Sequence, residues 1–220
     1  MNAVMTLYRS SIGKKAIVAV TGAAMFGFVL VHMVGNLLIF AGPDSINAYA
    51  EALQSNAGIL WGARLGLLAV LFAHVYTIIG LTKINREARP DAYGKGLKHK
   101  ESTAASRYMR WGGVALLLFI IFHLLHLTGG VVHPDFIKGN VYHNMVSGFK
   151  LQPWVAIIYI TAMVALSMHL YHGVWSMLQT LGLNHPKYND LRKKAAMGFA
   201  GLIFIGNCSM PIAILAGIIG

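Results

Sequence analysis

Two short stretches hold the residues most able to do chemistry in this 220-residue chain. One reads FHLLH, with His123 and His126 three positions apart. The other reads HLYHGVW, with His169 and His172 at the same spacing. Both lie inside long apolar runs, as do His32 in VHMVGN and His74 in FAHVY. His99, His133, His143 and His185 lie in the segments between the runs. A single imidazole in an apolar helix is commonly a helix–helix hydrogen bond. Six of them over four consecutive runs make that explanation weak, and intramembrane ionisable residues mark functional sites by default. Neutral imidazole is also the commonest protein ligand for metals.

Five runs can position these groups, roughly 16–41, 59–82, 111–131, 152–181 and 196–220. Each is long enough to cross a hydrocarbon core. The chain is 56% hydrophobic and 11% charged, against about 25% charged in a soluble domain. It therefore reads as one all-α integral membrane domain over 1–220, a five-helix bundle whose helices one to four run up and down. The first run follows Arg9, Lys14 and Lys15, as a signal peptide would. Its apolar stretch exceeds the roughly 7–15 residues of a signal core, so it reads as a retained helix. The single cysteine, Cys208, rules out a disulfide framework and a CxxC metal motif.

The formal charge of +11 invites a nucleic-acid reading, but its distribution opposes one. Basic residues gather before run one, between runs two and three (Lys83 to Arg110) and between runs four and five (Lys187 to Lys194). The alternate loops are nearly neutral. That is the positive-inside pattern, with a cytoplasmic N-terminus and an external C-terminus.

Depth then sorts the histidines. His32 and His123 each lie about eight residues, or about 12 Å, from the outer ends of their runs. His74 lies about eight and His169 about eleven residues from the inner ends, at the same rise per residue. In an up-down bundle helices one and three are diagonal, as are two and four. Each layer thus offers two imidazoles across the bundle centre, an arrangement that suits six-coordinate haem used for electron transfer. Gly35 and Gly173 follow His32 and His169 by three and four positions, on the same helix face. They could admit a macrocycle or serve plain helix packing. His126 and His172, one turn beyond His123 and His169, could be ligands, propionate partners or proton carriers.

The segments HMVGNLLIF, NAYAEAL, FAHVYTIIG, FHLLHLTGG, YHNMVSGF and HLYHGVWSMLQTLGLNH together resemble the single-chain dihaem cytochrome b anchors of succinate:quinone oxidoreductases. That family comprises succinate dehydrogenases and quinol:fumarate reductases. The resemblance implies five spans and two haems b, with His32 and His123 as the outer axial pair and His74 and His169 as the inner pair. It makes His126 and His172 neighbours of the ligands. It also implies a flavoprotein and an iron–sulfur subunit docked on the cytoplasmic face of a bacterial inner membrane. Electrons would pass from them through both haems to a quinone, menaquinone being the expected one. The chain would act as an enzyme only within that complex, for which a higher-order oligomer is a further expectation. Some fumarate-reducing members carry a glutamate on the fourth helix; run four has no Asp or Glu, which tilts the reading toward succinate oxidation.

The sequence shows no flavin fingerprint and no cysteine set for an iron–sulfur cluster. Candidate quinone contacts are Asn47, Tyr49, Glu51 and His143 outside, and Ser10, Ser11, Lys14 and Arg110 inside. Trp61, Trp111 and Trp154 read as interfacial anchors. The rival readings are a dihaem cytochrome b of a hydrogenase or formate dehydrogenase, a membrane desaturase-like metal enzyme and a histidine-relay transporter.

The basic inner face leads to a first prediction. Reversing the charges of Lys95, Lys98, Lys100, Lys193 and Lys194 together should slow assembly with the soluble subunits at low salt and leave haem content unchanged. Salt screens such fields over about 8–10 Å, so the difference from the wild type should shrink as salt rises. Stopped-flow association at two salt concentrations measures it.

Overall fold

The computed structural model describes residues 10–88 and 104–220. Arg9, Arg89, Asp91, Lys95, Lys98, His99, Lys100 and Glu101 of the charge pattern lie outside the described residues.

The first span is α1, Ser11–Asn36, continued by a 3-10 turn, Leu37–Ala41. The Ser10 hydroxyl accepts from the Gly13 N–H at 3.0 Å and so caps its start. Gly42, at φ +96°, then turns the chain into α2, Pro43–Gln54. Asn56 caps α3, Ala57–Glu87, by accepting from the Ile59 N–H at 3.0 Å. The third span is α4, Ala104–His123, which opens into a π-helical turn, Leu124–Thr128. A short helix, α5 (Val141–Lys150), follows and is capped by Asn140. The fourth span, α6 (Pro153–Thr180), begins with proline, whose missing N–H is no loss in a first helical turn. The fifth span is α7, Asn189–Leu215. It starts earlier than the apolar run 196–220, because its first turns carry basic residues, and it ends earlier, just before Gly217 at φ +73°.

Five helices are long and apolar enough to cross a membrane, and no strand occurs among the described residues. Trp61, Trp111 and Trp154 stand exposed near helix ends, as belt residues do.

The pillar of the bundle is α6, which packs on α1, α4, α5 and α7. Among the described residues the α3 helix packs, of the spans, chiefly on α1. The diagonal pairs α1/α4 and α3/α6 show no comparable backbone packing among the described residues, and neither do α3 and α4. Across the diagonals the described residues meet through side chains. At the outer end α2 and α5 pack on each other and close the bundle. Their shared core with α6 and α7 holds Ile39, Ile46, Phe149, Val155 and Ile214, all at most 2% exposed.

On the other side of α1, Met33 is 3% exposed and packs against Leu170 of α6 and Ala200 and Ile203 of α7. Its sulfur lies where a Cβ on Gly206 would be. A glycine is needed here for close approach, not for backbone freedom. Gly206→Val should therefore overpack the α1/α7 crossing and cost about 1–3 kcal/mol. A lower thermal midpoint in detergent, with Gly201→Ala as an unaffected control in open space, is the expected outcome.

Candidate functional site

Two separate histidine pairs span the diagonals. The His32 ring on α1 lies 5.8 Å from that of His123 on α4, centroid to centroid, at 87°. The His74 ring on α3 lies 6.5 Å from that of His169 on α6, at 59°. Gly22 marks the inner level on α1: a Cβ there would lie 3.6 Å from His74 Cε1. Gly22 precedes His32 by ten residues, which sets the levels about 15 Å apart along α1.

Each pair is held by neighbours that bear on its tautomers. The Thr21 hydroxyl donates to the Ile17 carbonyl at 2.7 Å. With its proton placed there, its oxygen accepts from His74 Nδ1–H at 3.0 Å. That leaves a lone pair on His74 Nε2, the tautomer that suits an Nε2 metal ligand. His123 Nδ1 lies 3.1 Å from the Tyr159 hydroxyl. The Asn36 amide donates to His32 Nε2 at 3.0 Å, and Phe28 stacks on the His32 ring. His169 Nδ1 is buried with no partner.

A haem b between each pair is the group the sequence implies, and the ring spacing tests it. Metal–imidazole nitrogen bonds are about 2.0–2.1 Å in zinc sites. By analogy, two rings on one iron have nitrogens about 4 Å apart and centroids on the order of 6 Å apart. The observed 5.8 and 6.5 Å fit that spacing. The His74/His169 pair also has glycine beside it on two helices, since a Cβ on Gly113 would lie 4.0 Å from His169 Cε1. No cluster of three or more His, Cys, Asp or Glu that could hold a metal occurs among the described residues. The pairs therefore suit a metal that brings its own equatorial ligands.

The second histidine of each motif is placed differently from the first. His126 is fully buried and turned toward the outer cap. Its ring stacks on Phe122 and His133, and its Nδ1 lies 3.0 Å from the Tyr159 hydroxyl. His172 has a buried, unpartnered Nδ1, and so does the indole nitrogen of Trp175 one turn on. Lys193 Nζ lies 5.2 Å from the centre of that indole.

Of the two glycines singled out in the sequence, Gly35 is covered by Tyr49, whose ring a Cβ would meet at 2.6 Å. A Cβ on Gly173 would lie 3.9 Å from the Met109 methyl. Gly22, Gly113, Thr21 and Tyr159 were not marked by the sequence reading. Counting ten residues back from His32 would have found Gly22 at the second level.

The expected quinone contacts are scattered. Asn47 is committed to the cap, donating to Asn140 at 3.2 Å and accepting from the Tyr142 N–H at 3.0 Å. His143 pairs with Asp135 at 3.0 Å. Glu51, Ser11 and Arg110 are exposed. Tyr49 lines an apolar outer cleft of about 330 Å³ with Leu30, Val31, Val34, Gly35 and Leu38. Lys14 lines an inner cleft of about 260 Å³ with Tyr76, Thr77, Ile79 and Gly80. On the inner loops Arg192 is committed to the Leu183 carbonyl and to Asn184 and Asn189, whereas Lys187 and Lys194 stand exposed.

The profile of the succinate dehydrogenase/fumarate reductase transmembrane subunits matches residues 82–206, more than half of the chain. The chain belongs to that family. The match contains His123 and His169, while His32 and His74 precede it. As a transmembrane subunit of this family, the chain is a multi-pass membrane protein and a component of a succinate dehydrogenase or fumarate reductase complex. Neither the curated proteins nor the solved structures compared with the chain include a match at the significance required.

Gly148 offers a test of the outer pair's surroundings. A Cβ there would sit 2.8 Å from His133 Nε2 and 2.9 Å from His126 Nε2. Both rings are buried, so neither can swing into water. Gly148→Ala should cost about 1–3 kcal/mol through overpacking. Were each pair to hold a haem, the substitution should disturb absorbance from the His32/His123 level before that from the His74/His169 level, as read by low-temperature difference spectra.

Proposed function

We infer that this chain is the membrane anchor and electron-transfer subunit of a succinate:quinone oxidoreductase, with two bis-histidine haems b. His32 and His123 would hold the outer haem, and His74 and His169 the inner one. The reading is carried by the two diagonal histidine pairs, whose ring separations of 5.8 and 6.5 Å suit one iron each. When bound, each haem would supply a one-electron carrier, held by the two histidines of its pair. The chain's own residues supply orientation, dryness and support. Thr21 sets the tautomer of His74, and the crowded phenylalanines near Tyr159 keep water from His123. His172 and Trp175 offer two unpartnered buried nitrogens on the inner side of His169, suited to a haem propionate.

The soluble partners would be the flavoprotein and iron–sulfur subunits of the complex, docked on the basic cytoplasmic face of a bacterial inner membrane. Exposed Lys187 and Lys194 belong to that face. The oxidant would be a membrane quinone, with menaquinone the expected one. The apolar cleft beside Tyr49, lined by α1 residues on either side of His32 in sequence, has the character of a quinone-ring site. Succinate oxidation is favoured over fumarate reduction because α6 carries no carboxylate.

A pyridine haemochrome assay of the purified complex should return two haems b per copy of this chain. His74→Ala or His169→Ala should remove one haem, and His32→Ala or His123→Ala the other. Electron flow from succinate to quinone should fall at least tenfold in each variant, while succinate oxidation with a soluble acceptor persists. A count of one haem would defeat the two-level arrangement, and a count of zero would defeat the cytochrome reading.

A further inference from the structure

We propose that Tyr159 is the positioning residue for the outer ligand His123, its hydroxyl accepting from His123 Nδ1–H and donating to His126 Nδ1. This chain of two hydrogen bonds sets how strongly His123 donates to the outer haem iron. The inference rests on the haem reading of the paired histidines.

The geometry begins with the π-helical turn Leu124–Thr128. His123 ends the α-helical part of the span and His126 lies within the wider turn. Both Nδ1 atoms reach one hydroxyl on α6, at 3.1 and 3.0 Å. The hydroxyl is not free to swing. The Tyr159 ring meets Phe119 and Phe149 edge-on at 5.0 Å each, and Phe122 at 6.2 Å. Only 9% of the residue is exposed.

Proton counting gives the direction. A hydroxyl has one proton to donate, and a neutral imidazole has one N–H. If iron sits on His123 Nε2, His123 carries its proton on Nδ1 and must donate it to the Tyr159 oxygen. The Tyr159 proton then has His126 Nδ1 as its partner. Were His126 also to donate to Tyr159, the hydroxyl proton would face phenylalanine rings. His126 in turn carries its remaining proton on Nε2, the fully buried nitrogen with no partner, which lies against Gly148. His133 cannot relieve it through Nε2, which donates to the Asn144 carbonyl at 2.7 Å. The iron-facing nitrogen of His123 thus decides the direction of the whole chain.

A hydrogen bond accepted from a ligand's distal N–H raises the ligand's basicity and favours the higher oxidation state of the metal. Donating to His126 polarises the Tyr159 oxygen and strengthens that effect. At the inner level the corresponding chain ends on backbone: Thr21 accepts from His74 Nδ1–H and donates to the Ile17 carbonyl, while His169 Nδ1 is unpartnered.

The test is a redox titration of the purified complex, followed by difference absorbance at each haem. Tyr159→Phe keeps the ring packing and removes both hydrogen bonds. The outer midpoint potential should rise while the inner one stays put. His126→Phe keeps a stacked ring and removes only the acceptor, so it should give a smaller rise of the same sign. The double variant should rise no further than Tyr159→Phe alone. If Tyr159→Phe assembles poorly, the His126→Phe titration carries the test. An unmoved outer potential with both haems bound overturns the proposal and leaves the haem reading intact. Loss of the outer haem in His126→Phe but not in His123→Ala overturns it by making His126 the ligand. A wild-type complex without haem removes the reading on which the proposal stands.

Discussion

A polar group inside hydrocarbon has to find its partner within the protein. Most of the architecture follows from that constraint. The α1, α3 and α6 helices carry hydroxyls and imidazoles where water does not reach, and the bundle answers them one at a time. Thr21 turns its proton back to its own helix and leaves an oxygen for His74. Thr77 bonds the Ala73 carbonyl at 2.6 Å, and Ser167 reaches across to the Ala200 carbonyl of α7 at 3.2 Å. The exceptions are few among the described residues. Four of them, His126 Nε2, His169 Nδ1, His172 Nδ1 and the Trp175 indole nitrogen, lie within the two histidine motifs, and two, Gln152 Oε1 and Arg192 Nε, lie elsewhere. In a chain so economical with polar groups, the four that gather at the histidine motifs are the ones that accord with the haem reading proposed above.

The outer cap answers the same constraint by another route. The α2 and α5 helices lie where the chain leaves the bilayer, and their polar residues satisfy one another. Asn144 bonds both the N–H and the carbonyl of Ile137 at 2.8 Å. Asn47 and Asn140 tie α2 to the start of α5. Through Gly148 this polar layer comes into direct contact with His126 and so with the outer histidine level. The inner level has no comparable lid among the described residues, and the cleft lined by Lys14 lies on that side.

Much of this was legible in the sequence. Hydropathy and alternating charge mark the five spans because lipid leaves little freedom in length or composition. Depth counting set His32 against His123 and His74 against His169, the combinations whose rings lie across the diagonals. Three features were not legible. The cap helices α2 and α5 are too short and too polar to register as spans, and only Pro43 and Asn140 hint at where they begin. The π-helical turn has no simple composition signal, yet it lets His123 and His126 share one hydroxyl. The supporting residues Thr21, Tyr159, Gly22 and Gly113 act across helices. Their meaning depends on which helices are neighbours, and periodicity along one helix does not carry that information.

The two histidine pairs interleave along the chain, in the order His32, His74, His123, His169, with the first joined to the third and the second to the fourth. Their partners lie 91 and 95 residues apart. Neither pair lies wholly in the N-terminal or the C-terminal half of the sequence, so neither can form while the chain is still emerging with only two helices inserted. Closing either joins helices that otherwise share little backbone packing, and the second closure comes at reduced entropic cost because the first has already shortened the free loop. A break anywhere between His74 and His123 would leave one member of each pair on each fragment. The two pieces would hold no complete pair apart and both pairs together, which makes this stretch the natural place to divide the protein into two chains.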